Sequence, residues 1–427
     1  MNSGVPLAIF SRQETAEMAQ KEESSMSKTL TPKGVKSALT GQRIALVGGA
    51  GFIGLHLARS LLASGHDVYI LDNFSNQVHD SQSLPQDLIG HVRLFTGDIR
   101  DRELIKRAIK GVESVVHLAA ETGTGQSMYE LDHYFSVNVQ GTAGLLDVLS
   151  NDIEASGIRN VVLASSRAVY GEGAYLCSEH GVVYPAERTQ DRLQSGLFEP
   201  LCPICGAEVA LCPTSEESPL RPASIYGLTK QVQEQAVLLF GKMRGIGAFG
   251  LRFQNVYGPG QSLKNPYTGL LAVFSNLARQ NRNLDVYEDG QESRDFVYIT
   301  DVVNSLVRAV EFDKPYVGAL NVGSGRATDV LTVAKEIKNF FGSSSQIDIS
   351  GKFRVGDIRH NIADIRKAAD VLGYHPVVDF KSGLKSFLEW ASGKEVYDQA
   401  YYLRSLQELS DRDLMGSGTI TKHGETE

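Results

Sequence analysis

No stretch of eighteen consecutive apolar residues occurs in the 427-residue sequence, so no segment is long and apolar enough to cross a bilayer as a helix. A short apolar patch at 5–10 lacks the charged start and extended apolar core of a secretory leader, and a soluble cytoplasmic chain with no membrane partner is expected. Excess positive charge is missing too. With 42 Lys and Arg against 50 Asp and Glu the net charge is −8, which argues against sequence-independent nucleic-acid binding. Cysteine is scarce: there are four, all between Cys177 and Cys212. What is present, 42% hydrophobic and 22% charged residues with 42 glycines, suits a globular chain able to bury one large α/β unit plus a smaller lobe.

The most informative stretch is Arg43-Ile-Ala-Leu-Val-Gly-Gly-Ala-Gly-Phe-Ile-Gly54. A β-rich apolar run ends in glycines, and the residues after Phe52 and Ile53 repeat at helical spacing, so the string reads strand, tight turn, helix. Gly48 permits the sharp exit from the strand, Gly51 lets backbone amides approach a pyrophosphate, and Gly54 lets the helix pack closely on the sheet. The helix N-terminus adds the positive end of a dipole. A second strand at 67–71 ends in Asp72, eighteen residues after Gly54. A carboxylate there, with Asn73 beside it, is placed for an adenosine ribose and repels a 2′-phosphate, which favours NAD over NADP.

Further strands are expected at 92–95, 114–118, 160–165 and 248–253, with helical patterns between them at 102–109 and 138–149. Strands alternating with helices imply right-handed crossovers and a parallel sheet covered on both faces, with ligands at the carboxyl ends of the strands. The fold class is therefore α/β, a Rossmann-type doubly wound parallel sheet with a smaller C-terminal α/β lobe. We expect a mobile extension over 1–40, a dinucleotide-binding domain over 41–255 interrupted by a Cys-rich insertion at 172–218, a substrate lobe over 256–392 and a polar tail over 393–427 with one helix at 397–409. At the third strand end, Asp98 and Ile99 are candidates to contact adenine, although a turn-capping Asp would look the same. Leu118, Ala119 and Ala120 end the fourth strand with residues small enough for close passage of a cofactor.

Tyr226 and Lys230 form Tyr-Gly-Leu-Thr-Lys, which places both on one helix face one turn apart. A Tyr hydroxyl ionises near pH 10; a Lys ammonium one turn away and a cationic nicotinamide favour the phenolate, making Tyr226 a usable base. Ser166, in Ala164-Ser-Ser-Arg-Ala-Val-Tyr-Gly171 after the fifth strand, is positioned to hydrogen-bond a substrate oxygen.

Together the glycine turn, Asp72, Ser166 four residues before Tyr170, and Tyr226 with Lys230 resemble the extended short-chain dehydrogenase/reductases of the nucleotide-sugar epimerase and dehydratase group, over roughly 41–390. The resemblance implies tightly bound NAD, a C-terminal lobe holding a nucleotide diphosphate sugar, and a homodimer. It also marks Asn255, Arg294, Arg354 and Asp357 as substrate-nucleotide positions, and arginines suit bidentate phosphate contacts. Dehydratases of this group carry Asp-Glu before Val-Tyr-Gly, where this sequence has Arg167 and Ala168. Without that pair, elimination gives way to oxidation and hydride return at the opposite face: epimerisation, at C4. The alternatives are an NAD(P)-dependent reductase or dehydrogenase of a 4-keto sugar and, in a different class, a non-catalytic NAD-binding interaction protein.

Within the insertion, Cys177-Ser-Glu-His180 and Cys202-Pro-Ile-Cys205 are separated by 21 residues. Two such pairs let three sulfurs and an imidazole converge on one tetrahedral ion, so Cys177, His180, Cys202 and Cys205 are read as ligands of a structural zinc, with Cys212 a substitute for His180. A disulfide suits an oxidising compartment better than the cytosol, and reduced buried thiols are the third reading. The same segment, with Glu121-Thr-Gly-Thr-Gly-Gln-Ser-Met128, resembles the dTDP-L-rhamnose 4-epimerase subgroup, in which the loop containing Thr122 faces the sugar.

Overall fold

Seven parallel strands build the central sheet: Arg43–Val47 (β1), Asp67–Asp72 (β2), Arg93–Thr96 (β3), Ser114–His117 (β4), Asn160–Ser166 (β5), Gly247–Phe253 (β6) and Val317–Val322 (β7). Their order is β7-β6-β5-β4-β1-β2-β3, so the chain starts at the middle, winds to one edge, then returns and winds to the other. This is a computed structural model, and it describes residues 41–79, 81–152, 157–264, 269–397 and 400–419; the extension expected over 1–40 lies outside them.

Strand alternation sorts the core. Ile44 and Leu46 of β1 point to one face, against Leu57 and Leu61 of α1 (Phe52–Ala63), while Ala45 and Val47 point to the other, against Ile105 of α2 (Arg102–Ile109) and Leu145 of α3 (Gly141–Asn151). Full burial of each large aliphatic side chain stabilises the fold by about 1.5–3 kcal/mol. On that second face lies Val237 of α4 (Ile225–Arg244); on the first lie Val302 and Leu306 of α5 (Ile299–Val310).

β7 comes from beyond residue 255, so the dinucleotide-binding sheet is not complete at the boundary read from the sequence. Leu320 and Val322 of β7 are fully buried, but Asn321 interrupts the apolar pattern. Its side chain donates to the carbonyls of Thr214 and Asp364 and accepts from the Tyr170 hydroxyl, a buried polar set satisfied only by tertiary contacts.

The lobe between β6 and β7, extended by later segments, has its own core. Asn255–Tyr257 runs parallel to Ser293–Tyr298, which pairs antiparallel with Ala327–Asp329. Phe274, Val333, Ile337 and Phe387 fill the space beneath. In the Cys-rich insertion, Tyr175–Cys177 is the middle of a three-stranded antiparallel sheet with Gly181–Val183 and Ala210–Leu211.

The segment from 393 onward has the expected helix but is more than a polar tail, because it also adds a strand. Ala400–Ser410 is helical, and Met415–Ser417 pairs antiparallel with Lys352–Arg354. Leu409 is buried beside Gly125, and Tyr129 donates its hydroxyl to Glu408 at 2.8 Å.

Candidate active site

The glycine turn behaves as its spacing requires. Gly48 has φ of 81°, and a Cβ there would sit 2.4 Å from the backbone nitrogen of Ala119. A Cβ on Gly54 would meet the carbonyl oxygen of Gly49 at 2.5 Å, whereas one on Gly51 would meet nothing closer than 3.5 Å. Gly48 and Gly54 thus serve close packing, and Gly51 keeps the approach to the backbone open. Asp72 braces the turn: one carboxylate oxygen accepts from the amide of Ala50 and the other from that of Phe74, both at 2.9 Å.

A cavity of about 970 Å³ opens at the carboxyl ends of the strands. Gly48, Gly51, Phe52, Ile53, Gly54, Asp72, Asn73, Ile99, Leu118, Ala119, Ala120, Thr122, Ser166, Tyr226 and Lys230 all line it. Asp98 does not: its carboxylate accepts from the Arg100 amide at 2.9 Å, as a turn-capping Asp would, and from Arg100 Nε at 2.7 Å.

Helix α4 carries Tyr226 and Lys230 together. Ser224 caps it by accepting from the amide of Gly227, and the amide of Tyr226 donates to Ser127 Oγ at 3.0 Å. Gly227 lets the helix press on the turn after β5, because a Cβ there would lie 2.5 Å from the carbonyl oxygen of Ala168. That approach sets the Tyr226 hydroxyl close to Ser166. Burial pushes the Tyr226 hydroxyl above its ordinary value, while the Ser166 hydrogen bond and the charge of Arg167 pull it down.

Lys230 differs in detail from the sequence expectation. Its ammonium donates to the carbonyl oxygen of Ala164 at 3.0 Å, and burial lowers its pKa to about 7. The cation that bears on Tyr226 is Arg167.

The sequence exposed Arg167 only as a missing carboxylate. In the fold it lies beside Tyr226, Arg294 and Asp357, and its Nε donates to Asn255 Oδ1 at 2.8 Å. Burial, then the charge of Arg294, lowers its pKa to about 10. Three of the four candidates for the substrate nucleotide, Asn255, Arg294 and Asp357, gather around Arg167, and none of the four lines the 970 Å³ cavity. Arg294 donates to the carbonyls of Ser293 and Arg359, and Arg354 stacks on Tyr287 with Asp357 nearby.

Asn138 was also illegible. It lies in a π-helical turn, Phe135–Gln140, leading into α3, and bridges the amide of Glu121 to Thr229 on α4. Such turns are frequent at functional sites, but no residue type announces one.

In the insertion, the ligand atoms of Cys177, His180, Cys202 and Cys205 lie within 4.8 Å of one another. Cys212 stands outside this group.

A seven-stranded Rossmann sheet with this turn and with tyrosine and lysine one helical turn apart defines an extended short-chain dehydrogenase/reductase. The chain belongs to the NAD-dependent epimerase/dehydratase family, whose model matches residues 44–187 and 203–323. It is an enzyme of the epimerase type. A dTDP-L-rhamnose 4-epimerase of Burkholderia thailandensis is 35% identical over 356 residues, 83% of this chain and 96% of that protein. A putative UDP-glucose 4-epimerase of Methanocaldococcus jannaschii is 31% identical, over 81% of this chain and 97% of that one. Among solved structures, a UDP-glucose 4-epimerase of Thermus thermophilus in complex with NAD superposes with a TM-score of 0.65 at 26% identity, covering 83% of this chain and all of that one.

Proposed function

We propose that this enzyme is an NAD-dependent 4-epimerase interconverting dTDP-L-rhamnose and dTDP-6-deoxy-L-talose. The observation that carries the reading is the grouping of Ser166, Tyr226 and Lys230 in the lining of one strand-end cavity, with Ser166 close to the Tyr226 hydroxyl. The substrate follows from the relative that shares 35% identity across nearly its whole length.

In this reading the turn at Gly48, Gly51, Phe52, Ile53 and Gly54 receives the pyrophosphate of NAD, Asp72 and Asn73 its ribose, and Ile99 the adenine. Leu118, Ala119 and Ala120 pass beside the nicotinamide end. NAD, when bound there, would supply a hydride acceptor and donor for the sugar carbon. Tyr226 takes the proton of the C4 hydroxyl at Oη while Ser166 donates to the same sugar oxygen. Once the sugar presents its other face, Tyr226 would return the proton to the same oxygen, so the residue ends as it began. Lys230 is fixed to Ala164 one helical turn from the tyrosine, and Arg167 supplies the charge that bears on it. Thr122 meets the sugar, and Asn255, Arg294, Arg354 and Asp357 receive the nucleotide diphosphate. Arg167 and Ala168, neither an acid, leave no pair to remove water.

The test is proton NMR of the protein with dTDP-L-rhamnose and no added nicotinamide, following the sugar H4 couplings. The talo epimer should appear, and Tyr226→Phe should slow its formation by roughly 10²–10⁴-fold. Turnover only when NAD(P)H and a keto sugar are supplied would overturn the epimerase reading in favour of a reductase. Epimerisation of other nucleotide sugars but not this one would overturn the substrate.

A further inference from the structure

The epimerase reading leaves the cysteine segment unexplained. Cys177 ends one short strand, and His180 sits in the turn to the next, where Gly181 has φ of 68°. Cys202 and Cys205 flank a tight knuckle: the amide of Gly206 donates to the carbonyl of Cys202 at 2.9 Å, and the amide of Cys202 donates to the carbonyl of Ala207 at 2.8 Å. The knuckle turns its two thiols toward the hairpin.

The spacing between donor atoms is diagnostic. Cys177 Sγ lies 3.6 Å from His180 Nδ1 and 3.8 Å from Cys205 Sγ, and Cys202 Sγ lies 3.7 Å from His180 Nδ1. Tetrahedral zinc, from its usual bond lengths, would hold sulfurs about 3.8 Å apart and sulfur and nitrogen about 3.6 Å apart. A disulfide requires about 2.05 Å, so the thiols are not paired with each other. Soft sulfur donors with one imidazole select zinc over magnesium or calcium, which take oxygen. Tyr175, Val183 and Val209 pack around the group and supply an apolar surround.

We propose that Cys177, His180, Cys202 and Cys205 bind one zinc ion as a closed structural site, and that this ion fastens the inserted segment to the substrate lobe. Four protein ligands leave no position for a substrate, so the ion takes no part in hydride transfer. Its reach comes through Glu199, three residues before Cys202. Glu199 accepts from Nε of the fully buried Arg359 at 2.7 Å, and the Arg359 amide donates to Glu172 at the start of the insertion at 2.9 Å. Arg188, also from the insertion, bonds Glu172 and the lobe's Glu288. With Cys202 tethered, Glu199 is held where Arg359 needs it.

The test uses full-length protein prepared without chelator. Elemental analysis should give one zinc per chain, and cobalt exchanged into the wild-type protein should show the intense visible bands of a tetrahedral thiolate site. Cys202→Ser and Cys205→Ser should each lose the metal, whereas Cys212→Ser should retain it. Stripping the zinc should lower Tm and open residues 172–218 to protease, and restoring zinc should reverse both. Substoichiometric zinc with a weak octahedral cobalt spectrum, a thiol titration that finds two cysteines oxidised, or metal loss in Cys212→Ser would each overturn the site. Unchanged Tm and protease resistance after stripping would overturn its fastening role.

Discussion

Arg167 reaches across from the end of β5 to Asn255, with Nε 2.8 Å from the amide oxygen, and brings a positive charge to bear on the Tyr226 hydroxyl. A group that the sequence showed only by what it replaced thus sits between the proposed base and the proposed nucleotide site. Arg167→Met should cost about 1.5–3 kcal/mol of transition-state stabilisation, lowering kcat/KM roughly 10- to 160-fold. The charge lowers the proton affinity of Tyr226, so its removal should also move the acid limb of the rate profile to higher pH. A pH profile of the variant parallel to wild type would show that Arg167 acts on binding alone.

Lys230 is charged at a cost. Its folded pKa of about 7 lies below the ordinary 10.5, so between those values the unfolded chain binds the extra proton and stability from this group rises with pH. Below about 7 both states are protonated and the buried charge weighs on the fold. Lys230→Met in cofactor-stripped protein should therefore abolish part of the rise in Tm across that window while eliminating turnover. Superimposable Tm profiles for the two proteins would contradict this.

Arg359 has no exposed surface and is shared among Glu199, Glu288 and Asp289. Removing one member of a buried ionic cluster leaves the others uncompensated, and Arg359→Met should destabilise the protein by about 3–5 kcal/mol. The measurement is the urea midpoint, with the slope unchanged.

At the chain's far end, a Cβ on Gly416 would fall 2.3 Å from Cζ of Phe353, the neighbour of Arg354. Gly416→Val should displace Met415–Ser417 from its pairing with Lys352–Arg354. We expect KM for the nucleotide sugar to rise several-fold with kcat little changed, read from steady-state kinetics.

The sheet was legible where the side-chain period was clean. Ile44 and Leu46 against Ala45 and Val47 announce a strand buried on both faces, and the glycines after them announce the turn. β7 was not, because Asn321 breaks the apolar run and is satisfied by Tyr170, Thr214 and Asp364, residues far away in sequence. Tyr226 and Lys230 could be found from spacing; that Lys230 answers to Ala164 rather than to the tyrosine could not, since a carbonyl carries no residue signature. Arg167 and Asn138 were invisible for a related reason: their roles arise from what the fold brings beside them. The strand of the tail was missed because its few residues pair only with a distant partner, Lys352–Arg354.

The place of β7 in the sheet has a mechanical consequence. The chain leaves the sheet after Phe253, builds much of the lobe, returns through α5 to lay down β7, and then goes out again to complete the lobe. The lobe is therefore moored by several strands of backbone rather than swung from one. Any rigid rotation away from the cofactor cavity would have to bend all of those moorings together.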